Sequence, residues 1–321
     1  MASGDDLPNF STLVDTSAEE QRQRPGFPLL GDWHGQSLLE IRQDIEARFV
    51  AAGIETGEAR ASARVLLEHV HQPHGLQAAL ADPALSSWHQ LADLADLTVA
   101  RLSRKPMAQV LGSQPFWTLD LQVTRDTLTP RADTEALVEA VLDCCGREPR
   151  RVLDLGTGTG AILLALLSER PDWRGVGIDL SEPALEVASR NALRCGLADR
   201  TEWLLGRWGR GLGDQEFDIL VSNPPYIRTD VLAGLEPEVR QHEPALALDG
   251  GADGLDAYRE IIIDCRRLLS KGGVFAVEIG YDQGESVSAL ARNAGLIEVT
   301  VRQDLAGQDR VVIGRSPDGN S

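Results

Sequence analysis

The sequence predicts an α/β fold built on a mostly parallel sheet, and three observations predict it. From Arg151 onward, short apolar runs alternate with segments of helical period. One run, Val152–Leu155, leads into Gly156-Thr157-Gly158-Thr159-Gly160 and then a helix. Another, Phe217–Ser222, ends in Asn223-Pro224-Pro225-Tyr226. An apolar run that stops in a turn reads as a buried parallel strand delivering its last residues to the rim of a sheet, where ligands of open α/β folds sit.

Taken in order, residues 1–35 are polar, proline-bearing and without apolar periodicity, and read as a flexible tail with Phe10, Phe27 and Trp33 as docking points. A helical domain is expected over 36–105. Ser37 and Glu40 have capping-box spacing and open a helix to about Ala52, with Leu38, Ile41, Ile45 and Phe49 on one face and Gly53 closing it. A second helix, from about Glu58 to Val70, turns Ala61, Val65 and Leu66 inward. A third, from about Leu85 to Arg104, carries Trp88, Leu91, Leu94, Leu97 and Leu102. His69, His71 and His74 invite a metal reading, but i and i+2 do not share a helix face and Pro73 breaks the run, so a helix end with solvated histidines is the stronger reading.

Residues 106–130 change character: Val110, Phe116, Trp117, Leu119, Leu121 and Val123 alternate with polar residues around Gly112-Ser113-Gln114, which suggests a β-hairpin linker. The α/β domain then occupies 131–316, with 317–321 a tail. Thr129-Pro130-Arg131-Ala132-Asp133-Thr134-Glu135 opens a helix with Asp133 or Thr134 as N-cap and Leu137, Val138, Val141 and Leu142 along it. Strands are expected at Val152–Leu155, Val176–Asp179, Phe217–Ser222, Val274–Ile279, Ile297–Arg302 and Arg310–Gly314, with a weaker one near Trp203–Leu205. Helices are expected at Ala161–Glu169, Pro183–Cys195, Tyr258–Leu269 and Gly284–Asn293. Residues 303–309 are too few for a parallel crossover, so the last two strands are antiparallel.

Composition narrows the function classes. The chain has 321 residues, 42% of them apolar and 25% charged, as in soluble globular proteins. Its longest apolar stretches, such as Ala161–Leu167, fall short of the ~20 residues of a membrane span. No basic region followed by an apolar core opens the chain, so no signal peptide is expected. Four cysteines without CxxC spacing point to reduced thiols in a cytoplasmic protein. A formal charge of −18 argues against tight binding to a nucleic-acid backbone.

The glycine-rich turn has G-x-G-x-G spacing rather than the dinucleotide G-x-G-x-x-G, and no P-loop lysine follows it. Asp179 closes the next strand, where a carboxylate can accept both hydroxyls of a ribose. Asp154, immediately before the turn, disfavours a pyrophosphate and tolerates a cation. S-adenosylmethionine, with a ribose and a positive sulfonium, fits this pattern better than NAD. Downstream, Pro224 and Pro225 remove two backbone donors and keep the chain extended, leaving the carbonyls of Ser222, Asn223 and Pro224 without helical partners. Asn223 adds a side-chain amide and Tyr226 an aromatic face, together a clamp for a planar group bearing an NH2, either a base amine or a carboxamide.

With both motifs in place, the chain resembles the glutamine methyltransferases of bacterial peptide-chain release factors, the PrmC/HemK family. The resemblance runs from about Lys105 to Arg315 and includes Pro106–Val123, Thr129–Glu135, Asp154–Gly160, Asn223–Tyr226, His242–Leu248, Gly251–Leu255, Val277–Gly280 and Gln308–Arg310. It implies a Rossmann-like class I S-adenosylmethionine-dependent methyltransferase, with a seven-stranded sheet whose last strand is antiparallel. It also implies methylation of the glutamine amide in the Gly-Gly-Gln tripeptide of release factors. Carried over, cofactor contacts fall to Gly156, Thr157, Gly158, Thr159, Gly160, Asp179, Trp208 and Asn223. The glutamine pocket falls to Asn223, Pro224, Pro225 and Tyr226, of which Asn223, Pro224 and Tyr226 are the expected catalytic groups, with no metal. The family usually has proline where Ala132 stands, and often an acid where Arg207 precedes Trp208. The nearest rival, the ribosomal-protein glutamine methyltransferase, shares Asn-Pro-Pro-Tyr but lacks the acidic Asp133-Thr134-Glu135. A DNA amino-methyltransferase would need a basic groove and base flipping. A protein that only binds the cofactor would not need the Asn223–Tyr226 clamp.

Overall fold

The computed structural model describes residues 24–33, 35–72 and 87–318. The chain forms two compact units, Met1–Leu111 and Gly112–Ser321. Phe10, Pro73, His74 and the expected helix start at Leu85 lie outside the described residues, as does the side chain of Phe27.

The first unit is helical: α1 (Phe27–Asp32), α2 (Leu38–Ala51), α3 (Thr56–Val70), α4 (Trp88–Leu102) and α5 (Met107–Leu111). Ser37 caps α2 with the reciprocal bonds its spacing predicts, Glu40 N to Ser37 Oγ at 3.3 Å and Ser37 N to Glu40 Oε2 at 2.8 Å. A second capping box, Ser87 with Gln90, starts α4. Ile45, Phe49, Leu66, Leu67 and Leu94 are fully buried between these helices.

Three expectations need correction here. The segment read as a tail through residue 35 contains α1, whose Leu29 and Trp33 join the core, with the Trp33 indole donating to Asp44 at 2.7 Å. A proline near the helix start, with Leu29 and Leu30 packed toward the core, supplies a short helix with one apolar side. On α3 the buried residues are Ala59, Ser62, Ala63, Leu66 and Leu67, so Ala61 and Val65 face out. The alanine-rich sequence carries too little apolar contrast to fix the phase of that helix. His71 is buried at the C-cap of α3, its Nδ1 at 2.8 Å from the Leu67 carbonyl, and is not solvated as the sequence suggests; His69 is exposed.

The second unit opens with a hairpin, β1 (Ser113–Phe116) and β2 (Leu119–Gln122), paired from Ser113↔Gln122 to Phe116↔Leu119. The hairpin turns at Trp117-Thr118, not at Gly112–Gln114. Val110 belongs to α5, and Trp117 takes the turn's left-handed backbone (φ 56°). That conformation is held by the Trp117 N–H on Glu135 and its indole N–H on Glu169, at 2.7 and 2.8 Å.

There follow α6 (Glu135–Cys144), β3 (Arg151–Leu155), α7 (Ala161–Glu169), β4 (Arg174–Asp179), α8 (Glu182–Arg194), β5 (Thr201–Leu205) and β6 (Phe217–Ser222). An insert with the short helix α9 (Pro237–His242) precedes α10 (Asp256–Leu268), β7 (Leu269–Glu278), α11 (Gly284–Asn293), β8 (Ile297–Gln303) and β9 (Asp309–Arg315). The sheet order is β5-β4-β3-β6-β7-β9-β8. Strands β3 to β7 run parallel, and β9 is antiparallel to both neighbours, as the short β8–β9 connection requires. Side chains alternate between two cores. Val152, Ile219 and Val221 pack with α6 and α7, whereas Leu153, Leu155 and Leu220 pack with α10 and α11.

No helix among the described residues is long and apolar enough to cross a membrane. The strand order reverses between β3 and β6, and the crevice beyond their ends is the topological switch point. Gly177 of β4 lies between Asp154 and Trp203 in register, and a Cβ there would meet the Trp203 ring at 2.4 Å and Thr157 Oγ1 at 3.0 Å. Gly177→Ala should therefore destabilise the protein by ~1–3 kcal/mol through overpacking. Denaturant unfolding measures it, and an unchanged midpoint would mean that the indole is free to move away.

Candidate active site

Strand β3 ends at Leu155 and hands the chain to the glycine turn. The N–H groups of Gly156 and Thr157 both donate to the Ile178 carbonyl of β4, at 2.9 and 3.0 Å, which folds the turn back over the neighbouring strand. Gly156, Gly158 and Gly160 all have positive φ (72°, 55° and 79°), a conformation that explains why glycine recurs at alternate positions. Gly156 also lies against Trp208, where an added Cβ would stand 3.4 Å from Cζ3. Asp179, at the end of β4, accepts from Gly158 N through Oδ2 and from Ser181 N through Oδ1, both at 2.9 Å. The turn is thereby fixed to the carboxylate that follows the second strand.

Asp154 is fully buried beneath the turn. Thr157 Oγ1 donates to its Oδ2 at 2.6 Å, and Oδ1 has no hydrogen-bond partner. Burial pushes the Asp154 carboxyl up to about 7, against the pull of the Thr157 hydroxyl. Burial raises Asp179 as well, offset by the two backbone N–H groups. These acids give the floor of the site an appetite for positive charge.

Strand β6 runs beside β3 with Leu155 paired to Ser222, and the Ser222 hydroxyl donates to the Leu155 carbonyl at 2.6 Å. Asn223 therefore leaves the sheet next to Gly156. Its Nδ2 donates to Thr134 Oγ1 at 3.2 Å. Thr134 stands at the N-cap position of α6, one of the two the sequence offers, but its side chain serves Asn223 instead of the helix: a single 3₁₀ turn, Ala132–Thr134, precedes α6, and neither Asp133 nor Thr134 makes a side-chain cap bond. Pro224 is buried. Tyr226 donates its hydroxyl to Glu278 Oε1 at 3.2 Å, and its carbonyl accepts from Gln283 Nε2 at 3.2 Å.

A cavity of about 410 Å³ opens at this point. Gly156, Thr157, Gly158, Thr159, Asp179, Trp208, Asn223 and Pro225 line it, so two sequence motifs separated by more than sixty residues share one wall. Gly160, Pro224 and Tyr226 lie outside the lining; Gly160 is the N-cap residue of α7. Thr129–Arg131 and Pro244, Leu246 and Ala247 of the insert also line the cavity. Arg131 reaches across to both carboxylate oxygens of Glu243, at 3.0 and 2.8 Å, and Glu243 also accepts from Thr129 N. Arg207, which stands where an acid is usual, pairs through Nε with Glu260 Oε2 at 2.8 Å. Both residues line the cavity, so a carboxylate is present in it although residue 207 is basic. Trp208 itself has positive φ (50°) and a buried indole N–H without a partner.

Sequence reasoning missed several groups that build the site. Asn191 of α8, fully buried, donates to the Thr159 carbonyl at 3.0 Å and accepts from Gln122 N at 2.7 Å, tying the glycine turn to the hairpin. Glu243, Glu260 and Glu278 were equally invisible as partners. Arg131 and Glu243 are 112 residues apart in sequence, and no local pattern pairs them.

The strand order, the glycine turn at its switch point and the acid after the second strand define a class I S-adenosylmethionine-dependent methyltransferase fold. A family profile described as a methyltransferase domain matches residues 148–306. Among solved structures, the hMettl16 catalytic domain in complex with a MAT2A 3'UTR hairpin aligns over 70% of this chain and 83% of its own. Its TM-score is 0.54 at 17% identity, a likeness of fold.

Relatives narrow the class. The release factor glutamine methyltransferase of Caulobacter vibrioides is 51% identical over 229 residues, covering 71% of this chain and 79% of that protein. The one from Cereibacter sphaeroides is 45% identical over 273 residues, covering 84% and 95%. The chain belongs to the release factor glutamine methyltransferase family, and it is an enzyme.

The raised pKa of Asp154 has a sign that can be tested. The folded state keeps a proton that the unfolded chain releases between 3.8 and about 7, so stability falls as pH rises through that window. Asp154→Asn should leave stability unchanged near the acid end and raise it by a few kcal/mol at mildly alkaline pH. Glu278 contributes a slope of the same sign, so the dependence flattens without vanishing. Denaturant melts of both proteins at the two pH values check this; equal differences at both would mean that Asp154 is ionised throughout.

Proposed function

We propose that this enzyme transfers a methyl group from S-adenosylmethionine to the side-chain amide nitrogen of the glutamine in the Gly-Gly-Gln motif of peptide chain release factors, in the cytoplasm. The observation that carries the reading is that Asn223 and the glycine turn share one cavity wall. The names of the relatives support the choice of substrate.

The residues present fit the cofactor. The cavity has the volume of a small-molecule site, within the roughly 300–1,000 Å³ usual for such pockets. Gly156 through Thr159 and Asp179 would hold the ribose and the chain beyond it, Trp208 would pack on the base, and the unpartnered Asp154 oxygen lies buried below in a region suited to a cation. S-adenosylmethionine supplies an electrophilic methyl on a positively charged sulfur.

The chain's own part is to present a poor nucleophile correctly. An amide nitrogen has its lone pair delocalised into the carbonyl. Asn223 turns its NH2 to Thr134, which leaves Oδ1 as the acceptor for one substrate N–H. The carbonyl of Pro224 accepts the other, in a segment where the prolines keep carbonyls free. Tyr226, tethered through its hydroxyl, supplies the face that holds the amide plane. Because Pro224 and Tyr226 lie outside the cavity lining, the cavity is the cofactor's room and the glutamine enters from their side. The two acceptors stabilise the positive charge that the nitrogen gains, proximity does most of the rest, and the amide proton leaves to water after transfer. The helical unit provides docking surface for a protein substrate, which needs more contact than one pocket supplies.

Asn223→Ala should reduce turnover by at least roughly a hundred-fold, as loss of an oriented transition-state acceptor does, with affinity for S-adenosylhomocysteine changed little. Incubation with labelled cofactor and purified release factor, ribosomal proteins and DNA in parallel identifies the substrate. Label on anything but the release factor's glutamine overturns the assignment, and near-normal methylation by Asn223→Ala removes the clamp from it.

A further inference from the structure

We propose that Cys144 and Cys145 form a modification site, a vicinal dithiol that hydrogen peroxide closes reversibly to a disulfide. The pair stands at the C-terminal end of α6, the opposite end of that helix from Thr134, and outside the lining of the cavity. It owes nothing to the choice of methyl acceptor.

Consecutive residues within a helix point about 100° apart, which separates their side chains. Here the helix stops between the two cysteines. Cys144 is its last residue, and Cys145 is the C-cap, with extended backbone (φ −116°, ψ 134°). The two sulfurs converge to 3.7 Å. Cys145 is buried in the core against α6 and α7, whereas Cys144 is only partly buried, so one sulfur is open to a small reagent and the other is shielded behind it. The hydrogen bond between the sulfurs lowers the Cys144 pKa and raises that of Cys145, with Arg315 and Arg302 adding to the first effect and burial to the second. Cys195 and Cys265 are both raised by burial, which leaves Cys144 as the thiol that ionises most readily.

The chemistry takes two steps. The Cys144 thiolate attacks one oxygen of hydrogen peroxide, the O–O bond breaks, and the departing hydroxide becomes water with the proton that the thiol released. Cys144 is then a sulfenic acid. The Cys145 sulfur attacks the sulfenic sulfur; an S–S bond forms, the S–O bond breaks, and hydroxide leaves as a second water with the Cys145 proton. Two thiols lose two hydrogens, and one peroxide is reduced to two waters. The ring so closed contains the Cys144–Cys145 peptide. Adjacent α-carbons across a trans peptide are about 3.8 Å apart, short of the ~4.4–6.8 Å that disulfides favour, so the bond is strained and readily reduced. That peptide unit is also tied on both sides. The Cys144 carbonyl accepts from Arg315 Nη2 at 3.0 Å, and the Cys145 N–H donates to the Val141 carbonyl at 3.1 Å. Arg315, the last residue of β9, also donates to the Gly272 carbonyl of β7 at 3.1 Å and pairs with Glu298 of β8 at 3.4 Å. Turning the peptide to close the ring gives up the first two bonds and frees the end of α6 from this junction.

The test exposes the reduced full chain to hydrogen peroxide, alkylates every remaining thiol after denaturation, and reads the peptides by mass. The peptide holding Cys144 and Cys145 should lose two hydrogens and escape alkylation, Cys195 and Cys265 should stay alkylated, and dithiothreitol should restore the reduced mass. In Cys145→Ser the sulfenic acid has no partner, so dimedone should mark Cys144. Cys144→Ser should slow oxidation of the pair by at least roughly ten-fold. The oxidised wild type should melt below the reduced protein, a shift absent from Cys144→Ser. The wild-type masses decide the matter if Cys145→Ser fails to fold. Oxidation that falls first on Cys195, a disulfide between two chains, or a Cys144 that proceeds to sulfinic acid while Cys145 stays alkylatable overturns the proposal. Identical melting of the oxidised and reduced proteins overturns the release of α6.

Discussion

The buried hydrogen bond from the Ser222 hydroxyl to the Leu155 carbonyl fixes two adjacent parallel strands at their ends, and the site depends on it. A parallel pair already runs both chains toward the same rim. The extra bond makes them stop at the same level, so that the glycine turn and the proline segment emerge side by side. Each then leaves the sheet by a different device. The turn bends sharply because three glycines accept positive φ, and the proline segment stays extended because two prolines cannot donate or coil. One strand end makes room for a small molecule, and its neighbour offers carbonyls.

Around this pair the protein concentrates buried acids. Asp154, Glu243 and Glu278 are all shielded from solvent near the strand ends, in a chain that already carries a net charge of −18. They are treated differently. Glu243 has Arg131 and a backbone donor, whereas Asp154 and Glu278 each keep one oxygen without a partner. An incompletely compensated carboxylate is costly in a packed interior. Those two sit at the strand ends beside the candidate site, Asp154 bonded to Thr157 of the glycine turn and Glu278 to Tyr226 of the proline segment.

What the sequence displayed was what local pattern can carry. Strands such as Phe217–Ser222 and helices such as Ala161–Glu169 have the bounds expected of them, because an apolar run closed by a turn signal, or by a glycine at the start of a helix, has few alternatives. The hairpin was displaced because Gly112 looks like a turn residue and Trp117 does not; two bonds to distant glutamates hold Trp117 in a conformation its type disfavours. Helix α1 was missed because six residues give no period to read. In the site, the cavity's glycine wall and Asn223 were legible as motifs. The Thr134–Asn223 contact, the Arg131–Glu243 pair and the Arg207–Glu260 pair were not, since each joins residues far apart in the chain.

The sheet order carries a consequence for how this molecule is made. Strand β9 is the last of the nine among the described residues, yet it lies between β7 and β8 and pairs with both. Until residues 309–315 have left the ribosome, β7 and β8 each present a bare edge to whatever strand is nearby. Arg310, which reaches Asp133 at 3.2 Å beside the buried acids, arrives on that same segment. A nascent chain stalled just short of it has every glycine and proline of its site in hand and still cannot close the sheet that aligns them.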